Sequence, residues 1–183
     1  RSAYQKEDRC LSMLWRGIGA FISRHPQYKI LFGPVSISDD YHAVSRSLMV
    51  QFLRQNKFDT SLSRFVSARA PYRAGKVKHL NPSLMRSCVR DIDDVSLLIS
   101  EIEKDGKGIP ILLRHYLKLN ATILSFNVDK AFSSVVDGLI LVDLTRTDPR
   151  LMRHFMGTRG QEIFAKHHNL SPVTATGIDE STS

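Results

Sequence analysis

The sequence predicts an α/β protein, a mixed sheet flanked by helices. Apolar runs at 28–38, 121–129 and 136–144 have the length of strands, and the stretches between and around them place apolar residues at helical spacing. The two kinds of element are interleaved along the chain, which favours a layered sheet-and-helix arrangement. With 183 residues and 42% hydrophobic content, the chain is long and apolar enough to bury a core. One domain is expected over 1–170, followed by a disordered Ser/Thr-rich tail over 171–183.

Residues 7–24 read as a helix, with Leu14, Ile18, Phe21 and Ile22 at helical spacing and Trp15 beside them. Gly17 and Gly19 lie inside it. Each costs about 1 kcal/mol relative to alanine, the mark of a helix that comes close to a neighbour. His25-Pro26 ends it. In the strand at 28–38, Ile30-Leu31-Phe32 suits a central position covered on both faces. Pro34 cannot donate to a ladder, so pairing fails on one side near Gly33-Pro34 and leaves a gap for an extended ligand. Ser38 or Asp39 then caps a helix over 40–56 whose buried stripe is Val44, Leu48 and Phe52.

Residues 60–90 form a basic insertion, mostly irregular with one or two short helices. It holds Arg64, Arg69, Arg73, Lys76, Lys78, Arg86 and Arg90 and no carboxylate, and Pro71, Gly75 and Pro82 break it up. It reads either as a solvated loop or as a docking surface for an anion. A helix over 91–105 follows, with Asp91, Asp93 and Asp94 in its first turn. The helix dipole explains these acids more simply than metal ligation, because no His or Cys spacing accompanies them. Gly106 to Gly108 turns the chain into a helix over 109–119 with Pro110 in its first turn and Leu112, Leu113, Tyr116 and Leu117 inward. Asn120 is placed for a left-handed cap. The strand at 121–129 puts Leu124, Phe126 and Val128 on one face, and a hairpin connection leads to the strand at 136–144. A helix over 148–156 ends at Gly157, and a last one covers 161–168.

The formal charge of +8 calls for a polyanionic or anionic-surface partner, whether nucleic acid, acidic lipid headgroups or an acidic protein, unless it is only a solvated basic face. No run of about eighteen apolar residues is present, and no signal peptide is visible. Cys10 and Cys88 are far apart and form no metal or redox spacing, which fits reduced thiols in a cytoplasmic protein. The chain begins at Arg1 without a methionine and is expected to be part of a longer protein.

No nucleophile elbow, P-loop, dinucleotide glycine fingerprint or HExxH is present. His167-His168 reads as a pair of polar helix-end residues. Arginines without interleaved aromatics give little reason to expect nucleic-acid binding. What remains is the end of the first strand, where Ser36, Ser38, Tyr41 and His42 lie within seven residues. Tyr41 or His42 could act as general acid or base; alternatively Ser38 caps, Tyr41 packs and His42 is solvated.

At this point the residues suggest a family. LWRGIGAFISRHPQYKILFGPVSISDDY, GKGIPILLRHYLKLNATILSFNVDKAFSSVVDGLILVDL and RHFMGTRGQEIFAKHH resemble the second half of the hemolysin-like GNAT-type N-acyltransferases, which include the ornithine-lipid N-acyltransferases. The resemblance covers about residues 1–168 and lies in long phrases, not short motifs. It implies the C-terminal part of a GNAT-like acyl-CoA N-acyltransferase fold, with the helix at 7–24 following the central strand and 28–38 on the far side of a splay in the sheet. The strands at 121–129 and 136–144 would be its final antiparallel pair. The strands that grip a thioester backbone would lie upstream of Arg1, making this chain incomplete as a catalyst by itself.

The family's phosphate-cradling Q/R-x-x-G-x-G/A loop matches here only as Gln5-Lys6-Glu7-Asp8-Arg9-Cys10. Its glycines are absent, and Glu7 and Asp8 would repel a pyrophosphate, which favours an acyl donor carried on acyl carrier protein over one carried on CoA. No histidine has an aspartate five residues on, so the H-x4-D chemistry of lysophospholipid acyltransferases is not supported. The resemblance therefore implies transfer of a fatty acyl group from a carrier thioester to the amine of an amino acid such as ornithine, in lipid biosynthesis. The amine would attack directly, without a covalent enzyme intermediate. Tyr41 would be the acid, with His42 as the alternative, and Ser38 and Ser36 would orient substrate. Gln5, Lys6, Arg9, Phe32, Gly33, Pro34 and Ser36 would meet the acyl-phosphopantetheine. Arg9, Lys6 and the insertion would face the acidic carrier. No resident cofactor or metal is expected. The site of action would be the cytoplasm or the inner-membrane surface. The rival reading is a non-catalytic basic module that binds anionic membrane or an acidic protein.

Overall fold

A computed structural model describes residues 8–73, 75 and 91–170 of the chain. Its elements are α1 (Asp8–Arg24), β1 (Ile30–Ile37), α2 (Ala43–Asn56), α3 (Thr60–Ser63), α4 (Ile92–Ile102), α5 (Ile111–Lys118), β2 (Thr122–Asp129), β3 (Val135–Asp143), a 3₁₀ turn (Leu144–Arg146) and α6 (Pro149–His167). They group into two compact units. One contains α1, the 3₁₀ turn and α6, and the other is Ile30–Val142. Gln5, Lys6, most of the second half of the basic insertion and the tail at 171–183 lie outside the described residues.

In the first unit α1 packs on α6. The buried stripe of α1 is Trp15, Gly19 and Ile22, spaced i, i+4, i+7. Leu14 and Phe21, expected inside, are exposed, because the stripe that meets α6 is one residue off the predicted one. Phe21 instead stacks on Tyr28 and lies tilted against His25. Of the two helix glycines only Gly19 serves close approach, since a Cβ there would run into the Phe155 carbonyl, whereas Gly17 has open space around it. The Trp15 and Phe155 rings lie 5.6 Å apart at the same contact. Gly160 abuts Ser23 from the α6 side. Gly157 takes φ 74° and breaks α6 into two helical pieces, at the residue where the sequence placed a helix end. The His168 imidazole donates from Nε2 to the Pro26 carbonyl at 2.7 Å.

In the second unit the sheet order is β1-β3-β2. Thr122 pairs with Leu141 and Asp129 with Val135, antiparallel, with a bulge between Ile123 and Ser125. The bulge lets Ile123 and Leu124 both be buried before Phe126 resumes the core face. Val35 lies against Gly138 and Ser36 against Asp137, so β1 is antiparallel to β3 as well. Val35, Ile37, Met49, Leu53, Ile99, Leu113, Phe126 and Ile140 form one core between the sheet and the helices α2, α4 and α5. This α/β arrangement is the one predicted and is consistent with a GNAT-like fold.

The position of β1 departs from expectation. Among the described residues it is an edge strand, and Phe32 is 77% exposed instead of covered on both faces. A sheet edge is the place within a sheet where a proline such as Pro34 is tolerated. On the opposite edge, β2 is covered by the chain itself. Ile123 N–H donates to the Lys57 carbonyl, Tyr72 N–H to the Phe126 carbonyl and Val128 N–H to the Ala70 carbonyl. Part of the basic insertion is therefore ordered sheet edge. The rest of its described part includes α3, capped by the Asp59 carboxylate.

The start of α2 also differs. Neither Ser38 nor Asp39 caps it: the helix begins at Ala43 with His42 at the N-cap. Ser38 instead accepts from the Asp40 N–H in a short turn. Val44 is exposed, and the buried surface of α2 widens to include Ser45 and Ser47 beside Leu48 and Phe52. The acids of α4 do cap: Asp91 accepts from the Asp93 and Asp94 N–H groups, and Asp94 accepts back from the Asp91 N–H. Asp93 pairs with Arg114 at 3.0 Å. Asn120 takes φ 62° after α5, as its position predicted, while Leu112 is exposed.

Candidate functional site

Within the second unit, the C-terminal end of β1, the loop 38–42, the turn 103–108 and Asp137 of β3 come together. Ile37 is anchored in the core and fixes the strand end, so the chain leaves it in a defined direction. Ser36 lies one residue before, on the exposed face, and its hydroxyl donates to Asp137 Oδ1 at 2.6 Å. A hydrogen bond this short to an ionised acceptor polarises the hydroxyl.

Glu103 organises the loop. Its residue is only 5% exposed, and its Oε1 accepts the His42 N–H at 2.9 Å. This bond takes over the capping that no side chain of the loop provides. His42 is thereby fixed through its backbone at the N-terminus of α2, and the residue is exposed. Tyr41, in contrast, is buried. Its hydroxyl donates to the Gly108 carbonyl at 2.8 Å. Lys107 Nζ stands over the Tyr41 ring, 4.6 Å from its centre, while also reaching Asp105 at 3.4 Å and the Asp40 carbonyl. Gly108 is required here because a Cβ would collide with Ser96.

Burial, reinforced by the carboxylates of Glu103 and Asp105, pushes the Tyr41 hydroxyl up from 10.0 to about 12. A raised value means that the folded state keeps the proton longer than the unfolded chain does. Tyr41 therefore contributes stability in full below pH 10, and that contribution is lost as pH rises toward about 12. Burial raises Tyr116 in the same direction. Urea midpoints measured at pH 9 and pH 11 are expected to fall less in Tyr41→Phe than in the parent, with the Tyr116 part of the loss remaining in both. An equal fall in both proteins would mean that the Tyr41 hydroxyl is solvated.

Ser36, Ser38, Tyr41 and His42 sit at the end of β1 and in the loop after it but engage separate partners, Ser36 on the exposed face and Tyr41 in the core, and three of those contacts involve residues that the sequence did not single out: Asp137, Glu103 and Lys107. Their partners lie 101, 61 and 67 positions away, a separation at which single-sequence spacing carries no signal. Phe32, Gly33 and Pro34 line up along β1 toward the same strand end. Arg9 belongs to the first turn of α1, in the other unit. The acid role for Tyr41 requires its bond to Gly108 to break, whereas His42 needs no such rearrangement. Among the described residues no group of His, Cys, Asp and Glu is arranged to hold a metal ion. Among them, too, no helix is long and apolar enough to cross a membrane.

No protein-family model matches the chain, and no solved structure matches it. Two curated proteins do. The chain is 26% identical over 162 residues to a glycine N(alpha)-acyltransferase of Phocaeicola vulgatus, an alignment covering 86% of this chain and 47% of that protein. It is 27% identical over 158 residues to a glycine N(alpha)-acyltransferase of Bacteroides thetaiotaomicron, covering 79% of this chain and 43% of that protein. The chain therefore spans about half the length of the curated relatives it matches. Over most of its own length it is similar to proteins named as N-acyltransferases, and that similarity supports an N-acyltransferase family without fixing the donor or the acceptor.

Proposed function

We propose that this chain carries part of an N-acyltransferase that moves a fatty acyl group from a phosphopantetheine thioester, on acyl carrier protein, to the amine of an amino acid. The observation that carries the reading is the similarity over most of the chain to two proteins named for acyl transfer to the glycine amine. The geometry around β1 is compatible with it. The pantetheine runs along Phe32, Gly33 and Pro34, on an edge strand whose proline leaves a ladder position unused. Ser36, held by Asp137, and Ser38 orient the reactants.

In this reading the amine nitrogen attacks the thioester carbonyl carbon directly. The C–S bond breaks, the acyl group forms an amide, and the ammonium proton passes to a base while the thiolate takes up a proton. His42 is the base, exposed and fixed by Glu103 at the mouth of the strand. Tyr41 is a positioning residue that ties the loop to Gly108. The lipid-pathway acceptor, ornithine, and the simplest acceptor, glycine, differ in the room needed beyond the α-carbon.

Full-length protein containing this chain, incubated with acyl carrier protein or CoA bearing the same fatty acyl group and with glycine or ornithine, is expected to form an N-acyl amino acid. Mass spectrometry reads the product. Faster turnover with the carrier protein supports the donor assignment, and preference for CoA overturns it. No amide product from either donor with any amino acid overturns the reading as a whole.

A further inference from the structure

The described half of the basic insertion and the β2–β3 hairpin share one border of the second unit. Ala70 to Tyr72 runs along Phe126 to Val128, with the Ala70 N–H also donating to Asn127 Oδ1. Arg69 therefore stands at the foot of the hairpin that begins after Asp129. At the hairpin's turn, Phe132 is 68% exposed. The turn is fixed: the Asp129 carboxylate accepts from the Ala131 and Phe132 N–H groups, and Ser133 and Ser134 both hold the left-handed conformation. On the insertion, Phe65 is 74% exposed, with the Arg64 guanidinium 4.9 Å from its ring centre. Arg69, Arg73 and Lys130 are exposed as well. The Asp129 carboxylate at the hairpin's foot is engaged by the turn.

We propose that this border is a membrane-docking surface, with Phe65 and Phe132 entering the headgroup region of an anionic bilayer while Arg64, Arg69, Arg73 and Lys130 contact lipid phosphates. Large exposed aromatics set among cations and carried on a turn suit an interface with one apolar and one charged layer. A cluster of four basic residues reaches the number at which anionic lipid is recognised, each multiplying binding about fivefold near the surface. The net charge of +8 has the complementary sign. An exposed aromatic on a turn, beside cations, suits a bilayer's layered headgroup region. A membrane site would also hold a long-chain amide product, but the proposal stands apart from the acyl-transfer reading because vesicle binding requires no turnover.

The test is sedimentation of the full-length protein with vesicles of phosphatidylcholine alone or with roughly 30% phosphatidylglycerol. Binding is expected only to the anionic vesicles and is expected to weaken as salt rises past about 150 mM. Phe65→Ser with Phe132→Ser is expected to lower the partition coefficient at least ~10-fold. Arg64→Gln, Arg69→Gln and Arg73→Gln together are expected to lower it about 100-fold. These side chains are exposed, so circular dichroism should match the parent. Equal binding of parent and variants, or no binding by the parent, overturns the proposal. Variants that bind vesicles normally but lose affinity for acyl carrier protein also overturn it, and mark the border as the carrier's dock.

Discussion

On the acyl-transfer reading proposed above, His42→Ala introduced into the full-length protein is expected to lower kcat/KM about 10²–10⁴-fold, the usual contribution of a positioned base. The chain stays folded, because the bond that matters for the loop is made by the residue 42 backbone N–H, which alanine retains, to Glu103. The loss falls on kcat more than on KM, since the proton moves only in the transition state. His42→Gln is the stricter companion because it keeps a polar side chain without a titratable nitrogen. Tyr41→Phe is expected to be far milder, with activity reduced through a looser loop and the pH profile unchanged in shape. If His42→Gln retains activity within about threefold of the parent, His42 is not the base, and the polarised Ser36–Asp137 pair becomes the group to examine.

Gly19→Ala costs about 1–3 kcal/mol, whereas Gly17→Ala, two residues away on the same helix, gains up to about 1 kcal/mol. The opposite signs come from the surroundings. A methyl at 19 meets the backbone carbonyl of Phe155, which cannot rotate aside, so α1 and α6 must separate. A methyl at 17 meets nothing and only adds helix propensity. Larger side chains at 19 push the cost further, toward loss of the α1–α6 pair. The sole tryptophan reports on this directly, since Trp15 is 4% exposed and packs on Phe155 beside the contact. Urea unfolding followed by its fluorescence is expected to move to lower midpoint in Gly19→Ala and to higher midpoint in Gly17→Ala. Equal shifts in both would mean that α1 does not pack on α6 through Gly19.

The contrast between these glycines illustrates how far the sequence carried. Helical spacing identified α1, and two glycines within it signalled close approach, but which of them was in contact depended on where α6 lay. The same holds for β1. Its apolar run marks a strand, yet Ile30-Leu31-Phe32 reads identically whether the strand is central or at an edge. Pro34 was the residue that agreed with the edge.

Local chemistry was legible in the sequence because it acts over three or four residues. The acids at the start of α4, the left-handed Asn120 and the break at Gly157 all follow from caps and backbone preferences of neighbouring residues. The α/β class followed from the same short-range periodicities. The arrangement around the candidate site depended on contacts across more than sixty residues. Glu103 comes to the His42 N–H, Gly108 takes the Tyr41 hydroxyl and Asp137 meets Ser36 because the core beneath β1, α2 and α4 brings those turns together. By itself the sequence determined that the end of β1 is dense in groups able to bind and move protons. The tertiary structure decided which of those groups are already engaged: the hydroxyls of Tyr41 and Ser36 are spent on Gly108 and Asp137, and His42 is held by its backbone with its residue exposed. The physical reason is that hydrogen-bond partners in a folded chain are chosen by packing, and packing has no spacing rule in the sequence.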